Sequence, residues 1–486
     1  MTGLQKAARY SGIVLVIVGL LASMTFAPVD DRPYFLQPYY RQSLGEDVMR
    51  GFPATIQEGG VEAGFAAVKL TPEPGAAEDR PEEGRFRAIP LAGYGSRRGR
   101  PAEGTHDDLF VKAAAVRVGK VLVIWLAADL LLVPPAVKDA VSAALAASPG
   151  VQRGQIYLGA THTHCGPGGW GEGPVAEAFT GPFQPGLIAW LGACMVRAAR
   201  DAVADLQPAR VGFVQFDAPE WVRNRLVGRL GTVDPGFAVL VLRQEQGRTG
   251  LIGCYGAHAT VLGAEMMRFS GDYPGAWQRH VEAATDGIAL FLAGAVGSQS
   301  PVPGERGLAG VERMGRGLGR RTLEAVRGVS LENRTVLGWT AAEVQMPPLN
   351  WRVSNRWRLR PWLAERLLRP RSTVTLQAVR VGRTLWLSTP CDFSGELSVR
   401  IKEALAARGY YGVITSFNGD YVGYVLPARY YAMDGYEPRT MSFFGPHVAD
   451  YFEEGLRKLA QRLMGAASTA SGIPPPLRGE LPTLEQ

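Results

Sequence analysis

The chain has 486 residues, 46% of them apolar and 20% charged, which are globular values with ample core for one large or two ordinary domains. The net charge of +7 is largely local: residues 351–371 carry seven arginines and one glutamate. That concentration argues against a generally basic nucleic-acid binder and leaves one basic element to be explained.

At the N-terminus Lys6 and Arg9 precede an apolar run over residues 12–27 without an intervening acid. A positive stretch before an apolar one is the pattern of an export signal. The run is borderline in length for a transmembrane helix. No clean small-x-small cleavage site follows, so retention as an uncleaved anchor is favoured over release. The positive-inside rule then places the rest of the chain on the periplasmic or extracellular side. Residues 1–29 are read as signal peptide or anchor, and 30–60 as a polar linker with short helical pieces. A single body is expected over 61–465, followed by a disordered tail over 466–486.

Within the body, residues 120–133 form an apolar run of buried-strand type. Residues 135–148 are alanine-rich with helical period, and 155–160 read as a second strand. Strand, helix and strand at this spacing predict a βαβ unit with parallel strands. A long helix is expected over 185–206, with strands at 210–217, 237–243, 251–255 and 287–297. Helices are predicted at 311–329, 393–407 and 447–464, and a hairpin around Gly382 within 373–390. The class is α/β, with α+β as the alternative. The architecture expected is one large domain, a mixed sheet flanked by helices and an active site at strand carboxyl ends. Four cysteines, Cys165, Cys194, Cys254 and Cys391, show no CxxC pair. They fit buried thiols or one disulfide of unassignable pairing.

The stretch LGATHTHCGPGGW places His162 and His164 one residue apart in a chain of six histidines. In an extended segment residues i and i+2 point the same way, so both could face one cavity. One could bind a metal while the other works on substrate or water. Alone, the pair also fits two histidines on a polar loop. Other segments add candidates. His258 ends an apolar strand in CYGAHATVL. Asp392 stands after a strand and a proline in LSTPCDFSGEL, where it could equally cap a helix. Ser300 lies on the glycine turn GAVGSQSP.

The order of these islands resembles the catalytic region of the neutral (neutral/alkaline, non-lysosomal) ceramidases, zinc amidases that cleave the N-acyl bond of ceramide. THTHCGPGG resembles their T-H-T-H-S-G-P-G-G, with Cys165 for serine. VRNRL resembles their N-R-S segment, and HATVL…SGDYPG their H-P-T-S with G-D-x-x-G. GSQSP resembles G-D-x-S-P with Ser298 for aspartate, and TPCDF resembles P-G-E-F-T with Asp392 for glutamate. NGDYVGYVLPARYYAMDGYE resembles their N-x-Y-x-x-Y-V…Y-E segment.

The resemblance implies zinc ligands His162, His258, Asp392 and Tyr424. It makes His164 the catalytic histidine and Ser300 the active-site serine, orienting or attacking. Arg225 and Tyr436 would orient the substrate carbonyl. Zinc with nitrogen and oxygen ligands keeps a position open for water and lowers its pKa to roughly 7. Aspartate for glutamate shortens one ligand arm, and serine at 298 removes an expected hydrogen bond. Family members usually continue into an immunoglobulin-like domain. The sequence stops after the catalytic region, which widens the expected substrate to N-acyl lipids other than ceramide. The rivals are an ester or lactone hydrolase on the same scaffold and a non-catalytic envelope protein with a degenerate site.

The basic insertion at 351–371 interleaves Trp351, Trp357 and Trp362 with arginines. It reads as a helical element lying on an anionic membrane or as a solvated charged insertion. The expected partners are an N-acyl lipid and a membrane surface, and no nucleic acid. The sequence leaves the oligomeric state open.

Overall fold

The computed structural model describes residues 3–147 and 151–464; the expected disordered tail over 466–486 lies outside them. One mixed sheet of twelve strands dominates the molecule. Its strands in chain order are β1 (Ala54–Lys69), β2 (Phe110–Val118), β3 (Val121–Ala128), β4 (Ile156–Ala160), β5 (Gln207–Asp217), β6 (Gly236–Gln244), β7 (Thr249–Tyr255), β8 (Ile288–Ala293), β9 (Arg334–Gln345), β10 (Thr373–Val381), β11 (Thr384–Ser388) and β12 (Tyr411–Thr415). The main path runs β8-β7-β6-β5-β1-β9-β10-β11-β12, and β2, β3 and β4 branch from β1. The main helices are α1 (Gly3–Thr25), α2 (Pro135–Ala146), α3 (Pro185–Ala204), α4 (Asp272–Thr285), α5 (Gly307–Arg327), α6 (Pro361–Leu368), α7 (Gly395–Ala406) and α8 (Val448–Met464).

The expected α/β class with a mixed sheet and flanking helices is the one observed. The βαβ unit β3-α2-β4 is parallel, in register from Ile124↔Ile156 to Ala128↔Ala160. Two more units repeat the design. β7 and β8 are parallel across α4, and β11 and β12 are parallel across α7. The remaining pairs in the sheet are antiparallel, including the predicted hairpin β10–β11, which turns at Gly382 with φ +58.

The continuous apolar run of β3 has a simple cause. Val121, Val123, Trp125 and Ala127 join one buried cluster, and Leu122, Ile124, Leu126 and Ala128 join another. The first cluster holds strand residues alone, with Trp339, Trp386 and Val413 from the far side of the sheet. The second contains the buried faces of α2 and α3. The sheet thus packs on itself inside and on helices outside, so a strand needs apolar residues on both faces. Trp125 meets Trp386 edge-on at 6.4 Å, and the Tyr157 hydroxyl bonds Thr415 Oγ1 at 2.6 Å.

Three features depart from expectation. The sheet begins at Ala54, inside the segment read as linker, because residues 54–60 pair with 334–340 of β9. The chain before it is also packed: Leu44 and Met49 are buried, and Tyr34 and Tyr40 bond Glu454 on α8. The basic insertion is only partly helical. It forms a short strand, Trp357–Leu359, and then α6. Among the described residues no helix is long and apolar enough to cross a membrane, so the expected anchor finds no spanning helix there. The four cysteines are buried and free.

Asp129 closes β3. Its carboxylate accepts hydrogen bonds from Phe110 N at 2.9 Å and Gln278 Nε2 at 3.1 Å. Burial pushes its pKa up to about 6 despite nearby Lys112. The folded state therefore holds the proton more tightly than the unfolded chain. Stability contributed by this group is full below pH 4 and falls as pH rises toward 6. Asp129→Asn should remove that loss. The melting temperature of the variant relative to wild type is expected to be higher at pH 8 than at pH 4, by the equivalent of at most about 3 kcal/mol. An equal difference at both pH values in calorimetry would refute it.

Candidate metal and catalytic site

The carboxyl ends of the three parallel units point to one place. His162 and His164 follow β4, His258 follows β7, and Asp392 follows β11. Leu131, just beyond β3, accepts a hydrogen bond at its carbonyl from His162 Nδ1 at 2.6 Å. Val296, just beyond β8, accepts one from His258 Nδ1 at 3.0 Å. A ring that donates from Nδ1 presents a bare lone pair at Nε2. The two Nε2 atoms lie 3.0 Å apart. Neither can donate to the other in this tautomer, so the pair is suited to a shared cation between or beside them.

The other expected ligands are at hand. Asp392 Oδ1 lies 3.5 Å from His258 Nε2 and 3.8 Å from His162 Nε2. It is buried and has no hydrogen-bond partner. The Tyr424 hydroxyl is 3.3 Å from His258 Nε2. Donors about 2.0–2.2 Å from a tetrahedral zinc stand roughly 3.3–3.5 Å apart, and these separations fit that sphere. The residues present therefore suit a zinc ion. His164 Nε2 is 3.4 Å from His162 Nε2, and the three histidines can also be grouped around one ion. Burial pushes His162 down to about 3, and holds His164 and His258 far below the ordinary imidazole value. All three are neutral at pH 7, the form that donates a lone pair. Burial also raises Asp392 to about 7, against the hydrogen bond from Tyr421.

The shortened arm of Asp392 reaches because its segment sits close. Gly297 N donates to Phe393 O at 2.8 Å, and a Cβ on Gly297 would meet Asp392 O at 2.3 Å. Ser298 Oγ accepts from Gly395 N and from the Ser394 hydroxyl, each at 3.0 Å. Serine at 298 thus ties this turn to the start of α7, in place of the hydrogen bond the resemblance led us to expect.

Arg225 presents NH1 to the His258 ring at 3.4 Å, and its NH2 pairs with Glu437 at 2.6 Å. Tyr436 stands edge-on to Tyr424 at 6.0 Å and is 41% exposed. Ser300 is further off. It pairs with Arg223 in a two-stranded ribbon, Gln299–Pro301 against Val222–Asn224. Its hydroxyl makes no hydrogen bond to the cluster and does not line the adjoining cavity.

Four residues were not singled out in the sequence. The Tyr421 hydroxyl donates to Asp392 Oδ2 at 2.8 Å. Phe417 stacks on the His162 ring at 3.9 Å, and both residues have left-handed backbones, φ +65 and +64. Glu437 holds Arg225. Arg97 is buried and donates to five carbonyls, those of Ala92, His164, Gly263, Ala264 and Met266. That fan fixes the turn carrying His164. Tyr421 and Glu437 lie inside the quoted tyrosine-rich segment, which was the available signal. Arg97 lies in GYGSRRGR, a stretch that also resembles the family but gives no sign of which arginine is buried.

His162, His164, Asp392, Tyr424 and Tyr436 open into a cleft of about 360 Å³. Its walls are mostly apolar, among them Leu131, Trp170, Phe179, Phe183, Leu349 and Phe443. That volume falls in the range of small-molecule sites.

Fold and site together define an α/β protein with a histidine–carboxylate–tyrosine donor set at strand carboxyl ends, beside an apolar cleft. Residues 83–293 match the family described as neutral/alkaline non-lysosomal ceramidase, N-terminal, so that stretch is similar to the neutral ceramidases its motifs resemble. The neutral ceramidase of Pseudomonas aeruginosa is 28% identical over 238 residues, covering 45% of this chain. The match spans about a third of that relative's length, 35%. The crystal structure of neutral ceramidase from Pseudomonas aeruginosa shares the fold, with a TM-score of 0.68 at 20% identity. A ceramidase complexed with C2 does so with 0.69 at 19%. Each comparison covers 86% of this chain and 77% of the other.

Removing one donor should uncouple the ion from the protein. Chelated, purified protein titrated with zinc is expected to take up about one ion per chain by calorimetry, and Asp392→Ala or His162→Ala to weaken uptake at least tenfold. His164→Ala should keep the stoichiometry. Loss of the ion in His164→Ala with retention in Asp392→Ala would replace the four-ligand assignment by the three-histidine one.

Proposed function

We propose that the chain is a zinc-dependent amidase that hydrolyses the N-acyl bond of a lipid such as ceramide, with His162, His258, Asp392 and Tyr424 holding the ion. The observation that carries this is the buried, unpartnered Asp392 Oδ1 among convergent imidazole lone pairs, at the inner end of an apolar cleft. The kinship with ceramidases supports the amide as the bond cleaved. A bound zinc ion would supply Lewis acidity to the reacting centre.

The chain's own residues supply the rest. The cleft takes the acyl chain and excludes water from it. His164 is neutral, held so by burial, and its Nε2 faces the cluster. It accepts a proton at Nε2 from the attacking water and returns it to the leaving amine. Arg225, tethered through NH2 to Glu437, keeps NH1 directed at the site and stabilises the developing oxyanion. Tyr436, at the exposed rim, orients the carbonyl from the opposite wall. Ser300 acts through its place on the ribbon that fixes Arg225, since its hydroxyl makes no contact with the cluster. The protein works on the outer side of the cell envelope, in keeping with the export pattern of its N-terminus.

Purified protein should release fatty acid from a fluorescent N-acyl sphingosine, and dialysis against a chelator should abolish turnover until zinc is restored. His164→Ala is expected to lower kcat by a factor of about 100 or more while zinc stays bound. Glu437→Gln should lower kcat several-fold with little change in KM, because it frees Arg225. Cleavage of O-acyl but not N-acyl lipids would make the chain an esterase on this scaffold. No turnover of either, with zinc bound, would remove the catalytic reading.

A further inference from the structure

The exposed large apolar side chains are concentrated on segments that grip one another. Along α1, ten of them from Tyr10 to Met24 are 46–71% exposed. Val353, Trp357 and Trp362 on the basic insertion are 46%, 50% and 52% exposed, and Phe35 and Leu36 lie just past the foot of α1. Phe26–Pro28, directly after α1, pairs antiparallel with Trp357–Leu359. Arg360 donates from N and Nε to Thr25 O and Ser23 O, and the Trp362 indole donates to Met24 O. The insertion thus satisfies the last-turn carbonyls of α1, which would otherwise lack partners. The two segments form one structural unit.

That unit is basic and leads to the cleft. Arg356 and Arg366 are exposed and form no ion pair among the described residues. The near end of α6 holds the foot of α1. Its far end, Leu368 with Arg369, Pro370 and Arg371, lines the cleft. Eight residues of helix separate them, roughly 12 Å.

We propose that this face docks on an anionic lipid bilayer. α1 embeds its apolar surface, Trp357 and Trp362 sit at headgroup level, and Arg356 and Arg366 meet lipid phosphates. The mouth of the cleft beside α6 is then held at the interface, where a lipid can enter without crossing water. This last step rests on the amidase reading; the docking does not. Apolar area flanked by arginines and interfacial tryptophans is complementary to an anionic membrane surface. A second copy of the chain would find like charge opposite like charge.

Full-length protein should be floated with vesicles of phosphatidylcholine, alone or mixed with phosphatidylglycerol. Stronger flotation with the anionic vesicles, weakened by salt, is expected. Arg356→Gln and Arg366→Gln should each reduce binding about fivefold. Trp357→Ala should reduce the vesicle-induced blue shift of tryptophan emission. Turnover of detergent-dispersed substrate by the arginine variants should match wild type, while turnover of vesicle-borne substrate falls. Equal flotation with both vesicles, unaffected by the arginine variants, would overturn the proposal. So would a lipid-free dimer in sedimentation that shields Trp357 from quencher. Flotation without any turnover would leave docking standing and remove the amidase reading instead.

Discussion

Two backbone carbonyls govern the centre of this protein. Leu131 O and Val296 O each take the Nδ1 hydrogen of a histidine, and so leave two imidazole lone pairs facing each other at 3.0 Å among buried side chains. The two rings cannot satisfy each other in that tautomer, and the lone pairs are left to a cation or to the neighbouring Tyr424 hydroxyl and His164 ring. Burial denies the rings the alternative of protonation. The constraint is reinforced from behind, where Phe417 lies flat against His162 and both hold left-handed backbones. Such conformations cost about 1–3 kcal/mol each and persist only where the surroundings dictate them. Here the stack and the carbonyl bond together hold the ring in place.

The three parallel units explain why so many segments arrive at one point. Each has a strand, a helix and a strand, and each delivers polar groups beyond its carboxyl ends. The first supplies Leu131 O, His162 and His164; the second His258 and Val296 O; the third Asp392 and, past β12, Phe417, Tyr421 and Tyr424. The first unit was legible because β3 is a long apolar run followed by an alanine-rich helix. The third was read as a hairpin and a helix, since its returning strand, Tyr411–Thr415, is short and begins next to a glycine. The sheet order was not legible. It depends on which strands find each other across hundreds of residues, and periodicity says nothing of that.

Site residues divided along the same line. Those carrying rare chemistry, such as the closely spaced histidines, stood out from the chain. Arg97 did not, because nothing in GYGSRRGR distinguishes it from the arginines beside it. Only the folded chain shows five carbonyls closing round it. Two of the three departures from the ceramidase pattern meet in space: Ser298 contacts the Ser394 hydroxyl and the Gly395 amide while Asp392 reaches the histidines from the same turn. A smaller residue on one side and a shorter acid on the other are consistent with one compact geometry.

The long strand β1 sets a timetable for synthesis. Its second half, from Val61, can pair with Val118 and its neighbours soon after they leave the ribosome. Its first half waits for Arg334–Thr340, far along the chain. Until then Ala54–Gly60 is an open strand edge able to recruit the wrong partner. The nascent molecule must pass through a half-sheeted state, and pairing of that high sequence separation is slow. Chaperone dependence during production should therefore trace to the arrival of β9 rather than to the assembly of the histidine cluster.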